Sequence, residues 1–345
     1  MSQRHLAILF AVSLAVLGLA VWVAHRAQRG SASIAGTVVL PGLEANLNAV
    51  TQVRITGPGG KEVTLVKGAS RWMVSQRDYP ADSGKLRKLL IDLGNLKAVA
   101  RKTRLEQNYP LLGVQSVSAP GASGVRIDVV SAQHTWSLIV GHNAAGSGSY
   151  VRLVGHKQSL LAAPLVMAEA KADEWLEPII VDVHHKQVRS IAERLAGERP
   201  YRIERAKASA ANFRVLGIPP GRKLESPGAA NAVASALSNL TLNDVRKAQP
   251  IPRDARLSSA EFTTFDGLIV TVSGYQAAKH GPHYIEVSAR AADPKAAAAA
   301  AQINARVHGW QYRIAGYSYR QIFQPLSGLL APPAQRPAVR HKPAA

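Results

Sequence analysis

The chain has 345 residues, enough for two domains of ordinary size with a core each, and its 47% hydrophobic content excludes a disordered polymer. It has no cysteine, which excludes disulfides, thiol catalysis and cysteine metal sites together. Lys and Arg number 42 against 22 Asp and Glu, a net charge of +20 that suits polyanions or acidic lipid headgroups without specifying nucleic acid; a compositional bias towards Arg and Ala would give the same excess.

From the N-terminus, Leu6 to Ala24 ("LAILFAVSLAVLGLAVWVA") is uncharged over 19 residues. At ~1.5 Å per residue this covers roughly the ~30 Å hydrocarbon core of a bilayer. Trp22 stands near one end, where an interfacial aromatic belongs. A cleaved signal would have a shorter apolar run and a small-x-small site, whereas cleavage after Ala24 or Ala27 puts Trp22 or His25 in that site. Residues 1–30 therefore read as a retained membrane anchor with its flanks, and 31–49 as a linker. Arg4 and the terminal amine face Arg26 and Arg29 across the span, so charge alone leaves the orientation nearly tied, leaning to a cytoplasmic C-terminal side.

Residues 50–183 read as a first α+β unit. "VTQVRITG" and "KEVTLVKG" form a hairpin across Gly57-Pro58-Gly59-Gly60, and "RWMV" adds a strand carrying Trp72 and Val74. Asp82 then precedes a helix with Leu86, Leu89, Leu90, Leu93 and Leu96 on one face. "GVRIDVVS", "TWSLIVGH" and "SYVRLVG" predict three more strands, and an apolar helical stretch is expected around Pro164 to Leu176.

Residues 184–330 read as a divergent second copy. "VRSIAERLAG" and "PYRIERA" take the hairpin place, and "NFRVLGI" puts Phe213 and Val215 where Trp72 and Val74 stood. "GAANAVASALSNLTLNDVRK" is expected as the helix, with Val233, Leu237 and Leu240 on one face. Strands follow in "EFTTFDGLIVTVSGY" and "HYIEVSARA". An added Ala-rich helix is capped by Asp293, with Pro294 first and Gly309 after its end. "WQYRIAGYSYRQIFQPLSGLL" supplies a strand and a final helix. The tail 331–345 has four prolines and three Lys or Arg, and reads as disordered, basic and Pro-rich. The fold class expected is α+β: an N-terminal transmembrane helix, then two copies of a strand-rich sheet-plus-helix unit. Three cations flank the anchor, three lie in the tail, and neither end carries an acid, so removing those six leaves +14 between them.

The order and spacing of "VRITG…VTLVKG…RWMV…YPADSGKLRKLLIDLGNLKA", "NYPLLGV", "LIVG…SYVRLVG" and "GWQYRIAGYSYRQIFQPLSGLL" resemble the bacterial domain-of-unknown-function 4340 family. The resemblance implies a single-span inner-membrane protein with a cytoplasmic N-terminus and its bulk in the periplasm. It further implies association with ABC-type export systems of the gliding-motility type. The family brings no catalytic residues to carry over.

The residues themselves offer little chemistry. "GPGGKE" at Gly57 lacks the spacing of a phosphate-cradling loop. The Gly146 loop, "HNAAGSGSY", has serines but no nucleophile elbow. Asp182, His184 and His185 are the best metal candidate; adjacent histidines on an extended segment point apart, so one ion would take only one of them, with His280 and His283 as remote additions. Asp128 and Glu286 lie in strand patterns and are expected to face solvent or pair with a cation. The ending interleaves Trp310 and Tyr312 with Arg313, Tyr317, Tyr319 and Arg320, which suits either a core or a partner contact.

The reading is thus a non-catalytic, membrane-anchored periplasmic binding or accessory protein with no catalytic, cofactor or metal residues and no cofactor. Arg313, Tyr317, Tyr319 and Arg320 are its possible partner contact. The expected partners are the membrane itself, an ABC transporter permease, and acidic envelope polymers or lipid headgroups; nucleic acid is not expected. The competing class is an envelope enzyme or metal-binding protein using the His184/His185 junction or the Gly146 loop.

Overall fold

The computed structural model describes Gly18 and residues 34–144, 146, 148–252, 255–276 and 281–332. The expected anchor, Gly18 apart, and the tail from 333 lie outside the described residues. Among the described residues no helix is long and apolar enough to cross a membrane. The chain is α+β and mostly sheet, and it divides into two compact units between Glu177 and Pro178.

The stretch read as a linker is folded from Ile34 on. Helix α1 (Leu43–Asn46) buries Leu43 completely, and Val39 and Leu40 are buried beside it, because three apolar side chains in five residues find a core to enter. The first unit then forms β1 (Val50–Thr56), β2 (Glu62–Lys67), β3 (Trp72–Val74), β4 (Tyr79–Pro80), helix α2 (Ser83–Gly94), β5 (Lys97–Arg101), helix α3 (Tyr109–Leu112), β6 (Val125–Ser131), β7 (Thr135–Asn143), β8 (Ser149–Leu153) and β9 (Ser159–Ala163). Its nine-stranded antiparallel sheet runs β4-β3-β2-β1-β6-β7-β8-β9-β5. The Gly-Pro-Gly-Gly turn works because Gly59 and Gly60 take φ of 70° and 73°, open to residues without a Cβ. Alternation puts Val53, Ile55, Val63 and Leu65 inside. The Asp82 side chain accepts from Lys85 N at 2.9 Å and starts α2, whose Leu86, Leu89, Leu90 and Leu93 are buried, each stabilising by about 1.5–3 kcal/mol. No helix forms around Pro164 to Leu176. That stretch is a loop with a 3-10 turn at Asp173–Trp175, held by the fully buried Trp175 and its indole bond to Glu169 O.

The second unit comprises β10 (Ile179–Val181), β11 (Val188–Arg194), β12 (Tyr201–Glu204), β13 (Arg214–Leu216), helix α4 (Asn231–Ala234), β14 (Leu240–Thr241), β15 (Asp244–Lys247), β16 (Ser258–Thr264), β17 (Leu268–Gln276), β18 (His283–Ala291), helix α5 (Ala297–Val307), β19 (Trp310–Ile314) and helix α6 (Gly316–Ile322). Its large sheet runs β13-β12-β11-β16-β17-β18-β19-β15, while β10 and β14 form a separate pair. The long helix expected from Gly228 is only one turn. Asn239 adopts a left-handed φ of 55°, and β14 and β15 begin beyond it, so the three- and four-residue spacing of Val233, Leu237 and Leu240 marks burial in successive turns. The Ala-rich helix forms as expected, with Asp293 accepting from Lys295 N and Gly309 at φ 79° after its end.

Candidate functional site

The hairpin of β11 and β12 turns Ile191 and Ile203 inward, and Val215 of β13 joins them in the core. Strand alternation therefore sends Ser190, Arg202, Glu204 and Arg214 to the opposite face. Pairing of β11 with β16 slips between Val188 and Ser190, and Arg189, at that slip, lines the same groove. The result is a groove of about 580 Å³ with four arginines (Arg189, Arg202, Arg205 and Arg214) against one acid, Glu204.

Its geometry sorts the arginines by role. Arg205 is buried and structural: Nε donates to Val188 O at 2.9 Å, Nη2 donates to His185 O at 2.7 Å, and the guanidinium lies 4.5 Å from the Phe213 ring centre. Burial draws its pKa below the usual arginine value. Arg214 donates to Glu204 at 2.6 Å and Arg202 stands 3.6 Å from the same carboxylate. The hydrogen bond from Arg214 holds Glu204 below its ordinary pKa, and Arg189 and Arg202 add to that effect. Among the described residues the Arg189 side chain has no hydrogen bond or ion pair, while its carbonyl accepts from Arg205 N at 2.9 Å. Three guanidiniums, those of Arg214, Arg202 and Arg189, thus act on one carboxylate, and Arg189 can accept a further anionic group in bidentate fashion.

The first unit has a groove of about 480 Å³ on its own sheet, but its charges are closed. Arg126 binds Asp128 at 2.8 Å, Arg54 lies 3.9 Å from Glu62, and Arg152 donates to Val114 O and His156 O. Asp128 is buried as well as paired, since Ser137 also donates to it.

The candidates from the ending are only partly gathered: Tyr317 and Arg320 share one cavity, and Tyr319 and Arg313 have other neighbours. Tyr317 is 66% exposed and lines a cavity of about 310 Å³ with Arg320, Gln321 and Gln324. Tyr319 turns inward, 4.4 Å from the His283 ring and 4.6 Å from Phe323, and Arg313 lies 3.8 Å from Asp244 on β15. Tyr312 is fully buried, while Trp310 is partly exposed under Lys247. Glu286 accepts from Gln311 at 2.7 Å.

The histidine junction differs from the extended geometry expected of it. His184 caps a 3-10 turn at His185–Gln187, so the two rings lie side by side, 4.3 Å apart, instead of pointing apart. His184 Nδ1 accepts from Lys186 N, and Asp182 accepts from Asn239 N. Among the described residues no cluster of three or more His, Asp or Glu could hold a metal; His280 lies outside them. Gly146 sits in the β7–β8 connection at φ 100°, with Ala145 and Ser147 outside the described residues.

Two features escaped the sequence reading. The arginine row was signalled by its out-of-phase places in "VRSIAER" and "YRIERA", which the hairpin assignment already implied. Glu193 had no signal beyond being an acid at an inward position of β11. It is fully buried, neither carboxyl oxygen has a hydrogen-bond partner among the described residues, and burial pushes its pKa up to about 9. Its cross-strand neighbours are Tyr201 and Ala260.

A family model described as a domain of unknown function (DUF4340) matches residues 72–259. No curated protein and no solved structure matches the chain.

Proposed function

The chain belongs to the domain-of-unknown-function 4340 family, and from that premise we propose that it is a non-catalytic, membrane-anchored accessory protein that binds its partner in the periplasm. The partner is an ABC-type transport complex or an acidic envelope polymer, and it presents an anionic group to the arginine groove of the second unit. The observation that carries this reading is the groove itself: four arginines, one acid, and an Arg189 side chain that forms no ion pair among the described residues.

The soluble region on this reading is a duplicated unit, only one copy of which keeps an open basic groove. Support comes from topology and register. The order β3-β2-β1-β6-β7-β8-β9-β5 corresponds strand for strand to β13-β12-β11-β16-β17-β18-β19-β15. Val53 pairs with Leu65 and Ile191 with Ile203, with the same eleven intervening residues. Val74 meets Leu65 as Val215 meets Ile203, which puts Trp72 and Phe213 at matching places two residues earlier.

Pull-downs from detergent extracts with the full chain test the binding reading. Exposed charge contacts weaken as the screening length falls from ~10 Å at 0.1 M salt to ~3 Å at 1 M. Capture of the partner should fall with salt, and the Arg189→Ala and Arg202→Ala pair should lose it at low salt while keeping the parent's melting temperature. Arg320→Ala should leave capture unchanged if the groove is the contact. Salt-independent capture by all variants would remove the groove from the function.

A further inference from the structure

We propose that the edge of the first unit around β5 rests directly on an anionic lipid surface; the inference depends on reading Leu6 to Ala24 as a membrane anchor. The first described residues fasten the entering chain to β5. Gly36 N donates to Ala98 O, Ala98 N donates to Thr37 O, and Val39 N donates to Leu96 O. Nine residues, 25–33, separate Ala24 from Ile34, and nine extended residues reach at most ~30 Å. β5 and the segment leading from it to α3 are therefore held near the bilayer by the chain's own connectivity.

The chemistry displayed there suits that position. Val99 is 47% exposed, Leu105 59% and Leu111 75%, three of the large apolar side chains the fold leaves in water, all within thirteen residues. Arg101, Lys102 and Arg104 are interleaved with them, and Glu106 is the one acid between Val99 and Leu111. Among the described residues neither the Arg101 nor the Arg104 side chain has an ion-pair or hydrogen-bond partner. The rim is rigid: Lys102 N donates to Ser159 O, Ser159 N to Thr103 O, and the Tyr109 hydroxyl to Lys157 O at 2.6 Å, which adds Lys157 to the same edge. Exposed leucines beside cations without ion pairs fit the headgroup boundary of a bilayer, where the apolar side chains enter and the cations are attracted to anionic lipid.

The absence of cysteine makes the test direct. Full-length Leu105→Cys and Leu111→Cys chains, spin-labelled, are reconstituted into phosphatidylcholine vesicles with and without about one-third phosphatidylglycerol. Accessibility to oxygen relative to a water-soluble nickel complex reports contact with the bilayer. Both labels should shift severalfold towards oxygen in the anionic vesicles, and Arg101→Glu with Arg104→Glu should reverse the shift without lowering the melting temperature. Labels that stay aqueous in anionic vesicles, on chains that resist alkaline extraction, overturn the docking and leave the anchor standing. Chains released by alkaline extraction overturn the anchor and the docking with it.

Discussion

Glu193 occupies the place in the second hairpin that Ile55 occupies in the first: Ile55 faces Val63 and Ile127, and Glu193 faces Tyr201 and Ala260. An ionised carboxylate without partners would be very costly there, so the folded state keeps the proton. With a folded pKa of about 9, against an ordinary value of 4.5, the folded form binds protons more tightly than the unfolded chain. Stability is therefore fully present below the unfolded value and is lost as pH rises towards the folded one, by about 1.4 kcal/mol per pH unit within that window. Glu193→Gln removes the titration with little change of shape. Its melting temperature should exceed the parent's near pH 8 and vary less between pH 5 and pH 8. Equal pH dependence in the two proteins would mean that Glu193 is solvated or paired.

At the scale of elements, the shared hairpin register permits a direct exchange. Residues 50–66 can replace residues 188–204 without insertion or deletion, because both hairpins carry eleven residues between their paired core positions. The replacement puts Ile55 where Glu193 was, so the exchanged chain should unfold cooperatively and melt no lower than the parent; circular dichroism melts decide. Loss of the cooperative transition would show that the two hairpins are not equivalent parts. The exchange also deletes Arg189 and Arg202 from the groove, so partner capture should fall even though folding persists.

For the whole molecule, the prediction concerns sidedness. The charges flanking Leu6 to Ala24 nearly balance, and the proposed function requires the bulk of the chain outside the cytoplasm. Alkaline phosphatase fused after residue 330 should be active, and a reporter that works only in the cytoplasm should stay silent at the same junction. The opposite pattern would place the arginine groove and the β5 edge on the cytoplasmic side, where their anionic partners would have to be sought.

The sequence by itself determined what is local. Alternation in "VTQVRITG" and "PYRIERA", the capped leucine face of α2 and the Asp293-Pro294 start of the Ala-rich segment are short-range patterns, and each folded as read, except that α2 ends at Gly94 and Leu96, expected on its face, is buried beyond its end. It misread Gly228 to Lys247 and Pro164 to Leu176, because apolar spacing reports burial and not the backbone that achieves it. Tertiary structure alone decided the rest. β5 and β15 become sheet edges by pairing with the distant β9 and β19, Arg189 enters the groove through a slip against β16, and Tyr317 and Tyr319 part to opposite environments. Each of these depends on partners far along the chain, and no local pattern encodes the free energy of pairing with them.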